Sequence, residues 1–262
     1  MQKQAKHKIV IIGCGNVAWH LAKLFSSLKK HELFVYNHKP NDLLNDFKTK
    51  LKCKTQVGLD KIITNAEFYF ICVSDRSISS ASIHIKTKNG ILIHTSGSVK
   101  LDELGSGDNT AVFYPLQTFS KQDEINWQET PIIIEAKNTT TKTKVTVLAK
   151  QVSNNVGNMT YKDRLRLHLA AVFVNNFTNA LFVSAGDIVN DKQLKNLLPL
   201  IKQTITKLGR IDPRAAQTGP AKRGDEAVMK KHLKLLSGNA DLKKIYKQMS
   251  SLIIKQQNNK HA

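Results

Sequence analysis

The sequence predicts an α/β fold with a doubly wound parallel sheet, followed by an all-α C-terminal domain. Three observations predict it. The apolar run Ile9–Ile12 leads through the glycine-containing segment Gly13–Ala18 into an amphipathic helix, and short apolar strands alternate with helices through the first half of the chain. From about Asp163 onward only helical patterns remain. We therefore expect an α/β domain over residues 1–160 and an all-helical domain over residues 161–262.

The turn after the first strand has the chemistry that a dinucleotide pyrophosphate requires. Gly13 permits a tight turn, Gly15 has no Cβ to block approaching phosphates, and Ala18 is small enough for close packing of helix and strand. The helix that starts there, with Asn16 and Val17 in its first turn, offers unpaired N–H groups and a partial positive charge. A G-x-G-x-x-A motif at this junction predicts a Rossmann-type dinucleotide site at these five residues; the alternative is such a turn that has lost its ligand.

The other predicted strands are short apolar runs bounded by polar or turn-forming residues. They are predicted at Leu33–Tyr36, Phe68–Val73, Ile91–His94, Ala111–Tyr114 and Pro131–Glu135, with a last short strand near Met159. Helices are predicted over Ser77–Ile85 and Thr143–Val152, and Val57–Asn65 is predicted to be helical or a turn. Alternation of this kind is typical of a mostly parallel sheet with helices on both faces.

The second half of the chain contains helical patterns only. Arg164–Ser184 is apolar on nearly all sides, so we expect a long buried helix there. Leu194–Leu208 is amphipathic, Gly209 ends it, and Asp212 followed by Pro213 is a strong helix start. Two further helices are predicted around Glu226–Leu236 and Asp241–Gln256.

The end of the second strand indicates which dinucleotide is bound. A carboxylate there would hydrogen-bond the adenosine ribose and favour NAD, but the sequence has Asn37, His38 and Lys39, and no acidic residue before Asp42. Asn37 is able to bond a ribose or phosphate oxygen, and His38 or Lys39 to face a 2′-phosphate. We therefore predict NADP as the cofactor; the alternative for Lys39 is a solvated loop residue in a lysine-rich chain.

Polar residues after three later strands are candidates for further contacts. In a doubly wound sheet the carboxyl ends of the strands form the ligand crevice. Val73, Ser74 and Asp75 are predicted to contact the cofactor, with capping of the next helix as the alternative for Asp75. Ser96 and Gln117 follow the next two strands, so they are candidate contacts of the nicotinamide or the substrate.

Four polar residues, His168, Asn175, Asn176 and Asn179, interrupt the apolar helix predicted from Arg164. Positions 168, 172, 175 and 179 lie on one helical stripe, and an amide buried without partners costs roughly 1–3 kcal/mol. The stripe is either a substrate-facing surface or a polar network at a helix or subunit interface. In the first case His168 is the acid or proton relay, and Asn175 orients a carbonyl or carboxylate.

A polar turn between two C-terminal helices, Gln217–Asp225, is the second candidate for chemistry. It contains a Gly-Pro turn followed by Arg223, whose fork of donors suits a carboxylate or phosphate. We predict that Arg223 binds the anionic group of a small substrate. Asp225 is predicted to cap the next helix rather than to act in catalysis, and His232 to be a solvated helix residue.

With these motifs together, the chain resembles a Rossmann-like family with the domain of unknown function 2520, related to pyrroline-5-carboxylate reductases and deazaflavin-dependent NADP oxidoreductases. The motifs that carry the resemblance span nearly the whole chain: Gly13-Cys-Gly15-Asn-Val-Ala18, Val73-Ser-Asp75, His94-Thr-Ser-Gly97, Tyr114-Pro-Leu-Gln-Thr-Phe119, His168-x-Ala170-Ala171 with Asn175-Asn176, and Gly219-Pro-Ala-x-Arg223-Gly-Asp225. The resemblance implies an NADP-type Rossmann domain, a helical domain that forms a homodimer, and a reductase. It implies no particular substrate.

One position departs from the pattern of neighbouring families. β-Hydroxyacid dehydrogenases and ketopantoate reductases have a catalytic Lys one turn before an Asn on this helix, and if Asn175 is that Asn, this chain has Ala171 instead. His168, two turns before Asn175, is only a loose substitute. Two hypotheses follow: an NADPH-dependent oxidoreductase that reduces a C=N or C=O bond in a small anionic substrate, or a non-catalytic NADP(H)-binding sensor or scaffold.

Composition indicates the compartment and the kinds of binding partner that we expect. The net charge is +20, but the lysines are scattered without a basic tail, so nucleic acid is not an expected partner. Three cysteines with no metal-ligand spacing indicate a reducing cytoplasm and no metal site. No run approaches the roughly 18 apolar residues of a membrane span, so we expect no membrane contact.

Overall fold

The computed structural model describes residues 7–258. The chain divides into two compact units, one ending at Asn176 and one beginning at Phe177. The first unit contains a sheet with flanking helices, and in the second the described residues form helices and turns. The predicted α/β class with a helical C-terminal region is therefore confirmed. The division falls inside the helix predicted from Arg164 rather than before it, and the domain bounds 1–160 and 161–262 stay a prediction.

The first unit is built on one eight-stranded sheet in the order β3-β2-β1-β4-β5-β6-β7-β8. The strands are β1 His7–Ile12, β2 His31–Asn37, β3 Lys54–Val57, β4 Phe68–Ile71, β5 Ile91–His94, β6 Thr110–Pro115, β7 Ile132–Ala136 and β8 Val156–Asn158. All neighbours pair in parallel except β6 and β7, which are antiparallel. A parallel pairing needs a crossover, usually a helix, and a loop without an α-helix joins β6 to β7.

Helices cover both faces of this sheet. They are α1 Asn16–Ser27, α2 Leu43–Leu51, α3 Ile78–Ser82, α4 Thr139–Lys150 and α5 Tyr161–Ala171. Strand β4 shows how the apolar residues divide between the faces: Phe68 and Phe70 pack in one buried cluster, and Tyr69 and Ile71 in the other. Because successive side chains of a strand point to opposite faces, a strand covered on both sides reads as one continuous apolar run.

The elements that differ from the sequence prediction include α2, which no predicted helix covered, and two shorter elements. Residues 54–57 form β3, which was not predicted because this edge strand, Lys-Thr-Gln-Val, is largely exposed and lacks an apolar face. A charged, short edge strand also resists pairing with another chain. The helix predicted over Ser77–Ile85 is shorter than expected, since a 3₁₀ turn at Asp75–Ser77 leads into α3, which ends at Ser82.

The long apolar helix forms, but the expectation that it is buried is wrong for this chain. A π-helical turn, Val172–Phe177, continues α5 into α6, Thr178–Gly186. Leu169 is 56% exposed and Val174 is 75% exposed within the described part of the chain. An 18-residue window of the helix Tyr161–Gly186 has a mean hydropathy of 1.3, so the helix is long and apolar enough to span a membrane; length and composition alone are weak support for a span.

The second unit is a set of helices: α6, α7 Asp191–Lys195, α8 Leu198–Leu208, α9 Pro213–Ala216, α10 Pro220–Arg223, α11 Glu226–Leu235 and α12 Ala240–Asn258. The caps predicted from the sequence are confirmed. Asp212 accepts hydrogen bonds from the first N–H groups of α9, and Asp225 accepts from Val228 N in α11. His232 is more than a solvated residue, since its Nδ1 lies 2.9 Å from the Tyr246 hydroxyl.

A buried arginine ties α5 to the sheet. The Arg164 side chain is 0% exposed. Its guanidinium donates to the carbonyls of Ser96 and Val99, each at 2.8 Å, and to the Glu135 carboxylate at 2.9 Å. A buried charge is tolerated only when it is paired and hydrogen-bonded. These bonds therefore hold the first turn of α5 against the 96–99 loop and the end of β7.

His94, the last residue of β5, is fully buried beside this arginine. Burial, with a smaller contribution from the Arg164 charge, lowers the pKa of His94 from 6.5 to about 4. Its Nδ1 accepts a hydrogen bond from Ser96 N at 3.2 Å. The ring is thus a neutral acceptor in the folded protein, and protonation opposes the fold.

We predict that His94 makes the protein sensitive to mild acid. The unfolded chain takes up the proton at a pH near 6.5 and the fold only near 4, so the stabilisation is complete above pH 6.5 and is lost as the pH falls toward 4. The loss attributable to this group is about 3 kcal/mol. Urea unfolding across that window should show a smaller acid-induced loss of stability for His94→Asn than for the wild type. His84→Asn, at an exposed histidine, is the control; equal losses in all three proteins would contradict the prediction.

Candidate functional site

The candidate site is a cavity of about 890 Å³ at the carboxyl ends of the central strands. This is where doubly wound sheets bind ligands, and the volume is in the range of small-molecule sites. Many of the residues predicted from the sequence line it: Gly13, Gly15, Asn16, Val17, Asn37, His38, Val73, Ser74, Gln117, Asn175 and Asn176. The structure thus brings the glycine turn together with residues from four later segments.

A second cavity, of about 820 Å³, lies at the opposite edge of the sheet. It is lined by the residues that precede β4 and β5, Thr64–Glu67 and Lys86–Gly90, together with Lys144. The amino ends of parallel strands are not where this type of sheet forms its ligand crevice. We therefore take the first cavity as the functional one.

The glycine turn has the geometry of a phosphate cradle. Gly13 has φ +107°, and a Cβ there would lie 2.3 Å from the carbonyl oxygen of Cys72. At Gly15, in contrast, a Cβ would meet nothing within 4 Å and would project into open space. Gly15 is also the N-cap of α1 and supplies no side-chain cap to its N–H groups. A pyrophosphate fits this space, because the free helix terminus offers donors and a partial positive charge.

The end of β2 agrees in part with its predicted role. Asn37 and His38 line the cavity, but the Asn37 amide donates to the Lys39 carbonyl at 2.8 Å and so holds its own turn. Lys39 is exposed and is not among the lining residues. Asn41, which the sequence reasoning passed over, is one of them.

A polar face of the helical segment after β4 was missed. Ser77, Ser80 and His84 line the cavity near the end of β4. Their spacing of three and four residues puts them on one face of a helix. That spacing was visible in the sequence within the predicted helix Ser77–Ile85, and it could have identified them as a ligand-facing stripe.

Asp75 and Ser96 do not line the cavity and instead stabilise loops beside it. The Asp75 carboxylate accepts a hydrogen bond from the Ser98 hydroxyl, so it neither caps the next helix nor faces the cavity. The Ser96 hydroxyl oxygen accepts from the N–H groups of Ser98 and Val99, each at 3.1 Å. Ala18 likewise is packed in the core, at 0% exposure, which is the close packing predicted for it.

One wall of the cavity is fastened to the helix that follows the glycine turn. Gln117, Thr118 and Phe119 line the cavity. The Asn16 amide donates to the Phe119 carbonyl at 2.8 Å. His20 Nε2 donates to the next carbonyl, that of Ser120, at 2.7 Å.

The bonds continue along this connection. Lys121 pairs with Asp46 of α2, and its Nζ lies 4.6 Å from the centre of the Trp19 ring. Lys23 of α1 pairs with Glu124 at 2.6 Å. Contacts at positions 119, 120, 121 and 124 therefore hold this wall in register with α1 and α2.

The amides predicted on the long helix reach the cavity, but not through a regular stripe. Asn175 and Asn176 both line it and both lie in the π-helical turn Val172–Phe177. A π turn inserts a residue into the helical repeat, so adjacent positions present their amides to one space. Asn179 lies beyond Asn176 in the second unit and is not a lining residue.

His168 is paired with a tyrosine of the sheet. Its Nδ1 lies 3.0 Å from the Tyr114 hydroxyl, and the two rings meet edge to face with centroids 5.8 Å apart. Burial raises the pKa of Tyr114 above its usual value of 10, so the phenol keeps its proton at neutral pH. Both residues were singled out in the sequence, but nothing there indicated that they touch.

The cavity wall carries no Lys, Arg, Asp or Glu among the described residues that line it. Its ionisable groups are histidines and the thiols of Cys14 and Cys72. Burial raises the pKa of Cys72 to about 12, and it also raises that of Cys14, so both remain thiols. In a chain of net charge +20, this cavity presents donors and dipoles rather than formal charge.

Arg223, the predicted anion ligand, belongs to the second unit. It is exposed at the end of α10, where Gly219 and Gly224, both with positive φ, frame the turn. The exposed guanidinium suits anion binding, and the assignment of Arg223 to a substrate stays a prediction.

Two family models match the chain. The model described as NADP oxidoreductase, coenzyme F420-dependent, matches residues 8–96. The model of the domain of unknown function 2520 matches residues 130–253. No curated protein matches the chain.

Solved structures match over nearly the full length. A putative NADP oxidoreductase from Bacteroides fragilis is 31% identical with a TM-score of 0.89, and the match covers 95% of this chain and 98% of that one. An imine reductase from Myxococcus stipitatus in complex with NADP+ is 14% identical, with a TM-score of 0.63 and coverage of 96% and 94%. A 1-pyrroline-5-carboxylate reductase from Streptococcus pyogenes is 15% identical, with a TM-score of 0.57 and coverage of 95% and 98%.

The imine reductase and the pyrroline-5-carboxylate reductase are less than 25% identical to this chain, so these two similarities show the fold alone. The Bacteroides fragilis protein is closer, and it matches the glycine-turn domain and the helical region together. The chain therefore belongs to the family of Rossmann-fold NAD(P)-dependent oxidoreductases that carry the domain of unknown function 2520.

Proposed function

We propose that the protein is an NADPH-dependent reductase of a C=N or C=O bond in a small anionic substrate. The observation that carries the proposal is the 890 Å³ cavity, in which the uncapped glycine turn and the amides Asn175 and Asn176 of the π-helical turn after α5 line one space. The names of the matching family and of the Bacteroides fragilis relative, an NADP oxidoreductase, support the same cofactor.

The cavity wall supports NADP over NAD. A carboxylate near the end of β2 would bond the ribose of NAD and repel a 2′-phosphate. The wall has Asn37, His38 and Asn41 there, and Asp42 is not among the lining residues. Hydroxyls of Ser77 and Ser80 supply further neutral donors from the neighbouring segment.

In this proposal three side chains have separate roles in the reduction. When bound, NADPH would supply the hydride for reduction at the carbon of the C=N or C=O bond. His168 gives a proton to the nitrogen or oxygen of that bond, so that an amine or an alcohol forms. Asn175 orients the reacting group, and Arg223 binds the anion of the substrate.

The assembly that we propose is a homodimer formed through the helical domain. No residue of the described range 177–258 is buried. Large apolar side chains are exposed instead; on α8 they include Leu198, Leu200, Ile205 and Leu208. A helical unit with little buried apolar surface gains little to offset the entropy of its own folding, and this supports a second copy that covers these faces. The compartment that we propose is the reducing cytoplasm, in keeping with three free cysteines, all buried.

Substitutions of the two glycines of the turn should have different effects. Gly15→Val should weaken NADPH binding at least about tenfold without loss of stability, since its side chain would enter open space that the proposal assigns to the pyrophosphate. Gly13→Ala should destabilise the fold itself, because its Cβ meets the Cys72 carbonyl and φ is positive. NADPH fluorescence titration and thermal unfolding measure the two effects. Gly107→Val, at a glycine with equally open surroundings, is the control.

The same titration tests the choice of cofactor. NADPH should bind more tightly than NADH, and His38→Asp should reverse the order by placing a carboxylate against the 2′-phosphate. Equal affinities in the wild type would contradict the NADP assignment. Absence of binding for both would contradict the nucleotide site.

Turnover separates an enzyme from a sensor. With imines and ketoacids as test substrates, His168→Gln should lower kcat by about a hundredfold or more, and Arg223→Ala should mainly raise the KM of the anionic substrate. Both variants should bind NADPH as the wild type does. Arg210→Ala, another exposed arginine of the helical unit, is the control. NADPH binding without oxidation by any of these substrates would favour the sensor, which the missing Lys at Ala171 also favours.

Light scattering after size exclusion tests the dimer. The wild type should have twice the 29.3 kDa mass of one chain. Ile205→Asp, which charges an exposed position of α8, should lower the mass or unfold the helical unit. Val147→Asp charges a similarly exposed residue of α4 in the first unit and should change neither. A monomeric wild type with a folded helical unit would overturn the assembly.

A further inference from the structure

We infer that Tyr114 is a positioning residue: its hydroxyl engages Nδ1 of His168 and thereby leaves Nε2 as the nitrogen that acts on the substrate. The inference rests on the proposed function, since it concerns the proton donor of the same site. Tyr114 itself contacts neither cofactor nor substrate in this scheme and acts only through the histidine.

The contact between the two side chains is specific. The phenol oxygen lies 3.0 Å from Nδ1, within hydrogen-bond distance, and the rings cross at 73°. Among residues 7–258 this is the one hydrogen bond that the structure gives the Tyr114 hydroxyl. A phenol that is 9% exposed needs an acceptor for its proton. Nδ1 is that acceptor, so the neutral ring carries its own proton on Nε2.

Gly97 provides the space for the pair. A Cβ at this position would lie 2.6 Å from His168 Nδ1 and 2.8 Å from Tyr114 Cζ. Any side chain would therefore displace one ring or separate the two. The glycine lies in the same loop as Thr95, which lines the cavity, so the pair lies beside the candidate site.

Arg164 holds this loop from the other side. It lies four residues before His168, one helical turn away, and binds the carbonyls of Ser96 and Val99 on either side of Gly97. The loop and the histidine are thus set by one buried group. Motion of α5 relative to the loop would break the bonds of Arg164 and, at the same time, separate the His168 ring from Tyr114.

The hydrogen bond between Tyr114 and His168 can persist at each stage of a proton transfer from His168 to the substrate. In the neutral ring Nδ1 accepts from the phenol. In the protonated ring Nδ1 carries a proton, and the rotatable hydroxyl becomes its acceptor. Loss of the Nε2 proton to the substrate nitrogen or oxygen then leaves a neutral ring with its remaining proton on Nδ1, still bonded to Tyr114. The phenol keeps its own proton throughout, because burial raises its pKa.

Long-range ¹⁵N NMR of histidine-labelled protein tests the pairing without any substrate. At a pH of about 8, where imidazoles are ordinarily neutral, Nδ1 of His168 should have the shift of an unprotonated nitrogen displaced by a hydrogen bond. In Tyr114→Phe this displacement should disappear. Gly97→Ala should have the same effect by another route, because its Cβ pushes the ring away.

The chain offers a matched control in its second unit. His232 Nδ1 lies 2.9 Å from the Tyr246 hydroxyl, and these rings also meet edge to face, with centroids 5.6 Å apart. Tyr246→Phe should move the His232 resonance and leave that of His168 in place. Tyr114→Phe should do the reverse.

Two results would overturn the inference: a His168 Nδ1 shift that is the same in the wild type and Tyr114→Phe, or a proton found on Nδ1 in the neutral wild type. Kinetics supply a separate arm, in which Tyr114→Phe lowers kcat and leaves the KM for NADPH unchanged. A protein that shows the NMR pairing but oxidises no NADPH would contradict the proposed reductase and not the pairing. The two failures are therefore distinguishable.

Discussion

The buried guanidinium of Arg164 is the interaction on which the edge of the cleft depends. Its partners belong to the loop after β5 and to β7, and its own backbone begins α5. Removing one partner of a buried charge typically costs about 3–5 kcal/mol, so none of these segments is free to shift alone. His94 remains neutral beside it, because a second buried cation would be repelled. The position of His168, one turn further along α5, follows from the same bonds.

The neutral wall of the cavity complements this charged anchor. The chain has a net charge of +20, yet its described cavity residues include no lysine or arginine. The residues that attract anions to the protein are therefore different from those that line the cavity. The field of the whole surface draws phosphorylated ligands. In the proposed function, specific binding then depends on the uncapped α1 terminus at Gly15 and on the wall that Asn16 and His20 hold against α1. A phosphate bound in this way needs fixed backbone geometry more than it needs a flexible cation.

The elements of the fold that could be predicted are those that depend on local sequence patterns. Strands such as Ile91–His94, covered on both faces, are continuous apolar runs, and caps such as Asp212 and Asp225 have a chemical reason that depends on a few neighbouring residues. β3 escaped prediction because an edge strand has no face to bury. The exposure of the long helix escaped it for a different reason: an apolar surface shows that something must cover it, and not that its own chain does.

The site could be predicted only where the residues that form it lie in one continuous segment of the sequence. The glycine turn identifies a dinucleotide, but the pair that we assign to chemistry joins positions 54 residues apart, and Arg164 reaches a carbonyl 68 residues away; no periodicity contains such contacts. Gly97 was the nearest signal, since a glycine after a strand end suggests that something approaches closely. A scaffold that only held NADP(H) would need the glycine turn and the neutral wall. It would not need a histidine held against a tyrosine over a glycine. This arrangement favours the reductase over the sensor, even though, if Asn175 is the Asn of neighbouring families, Ala171 stands where they have a lysine.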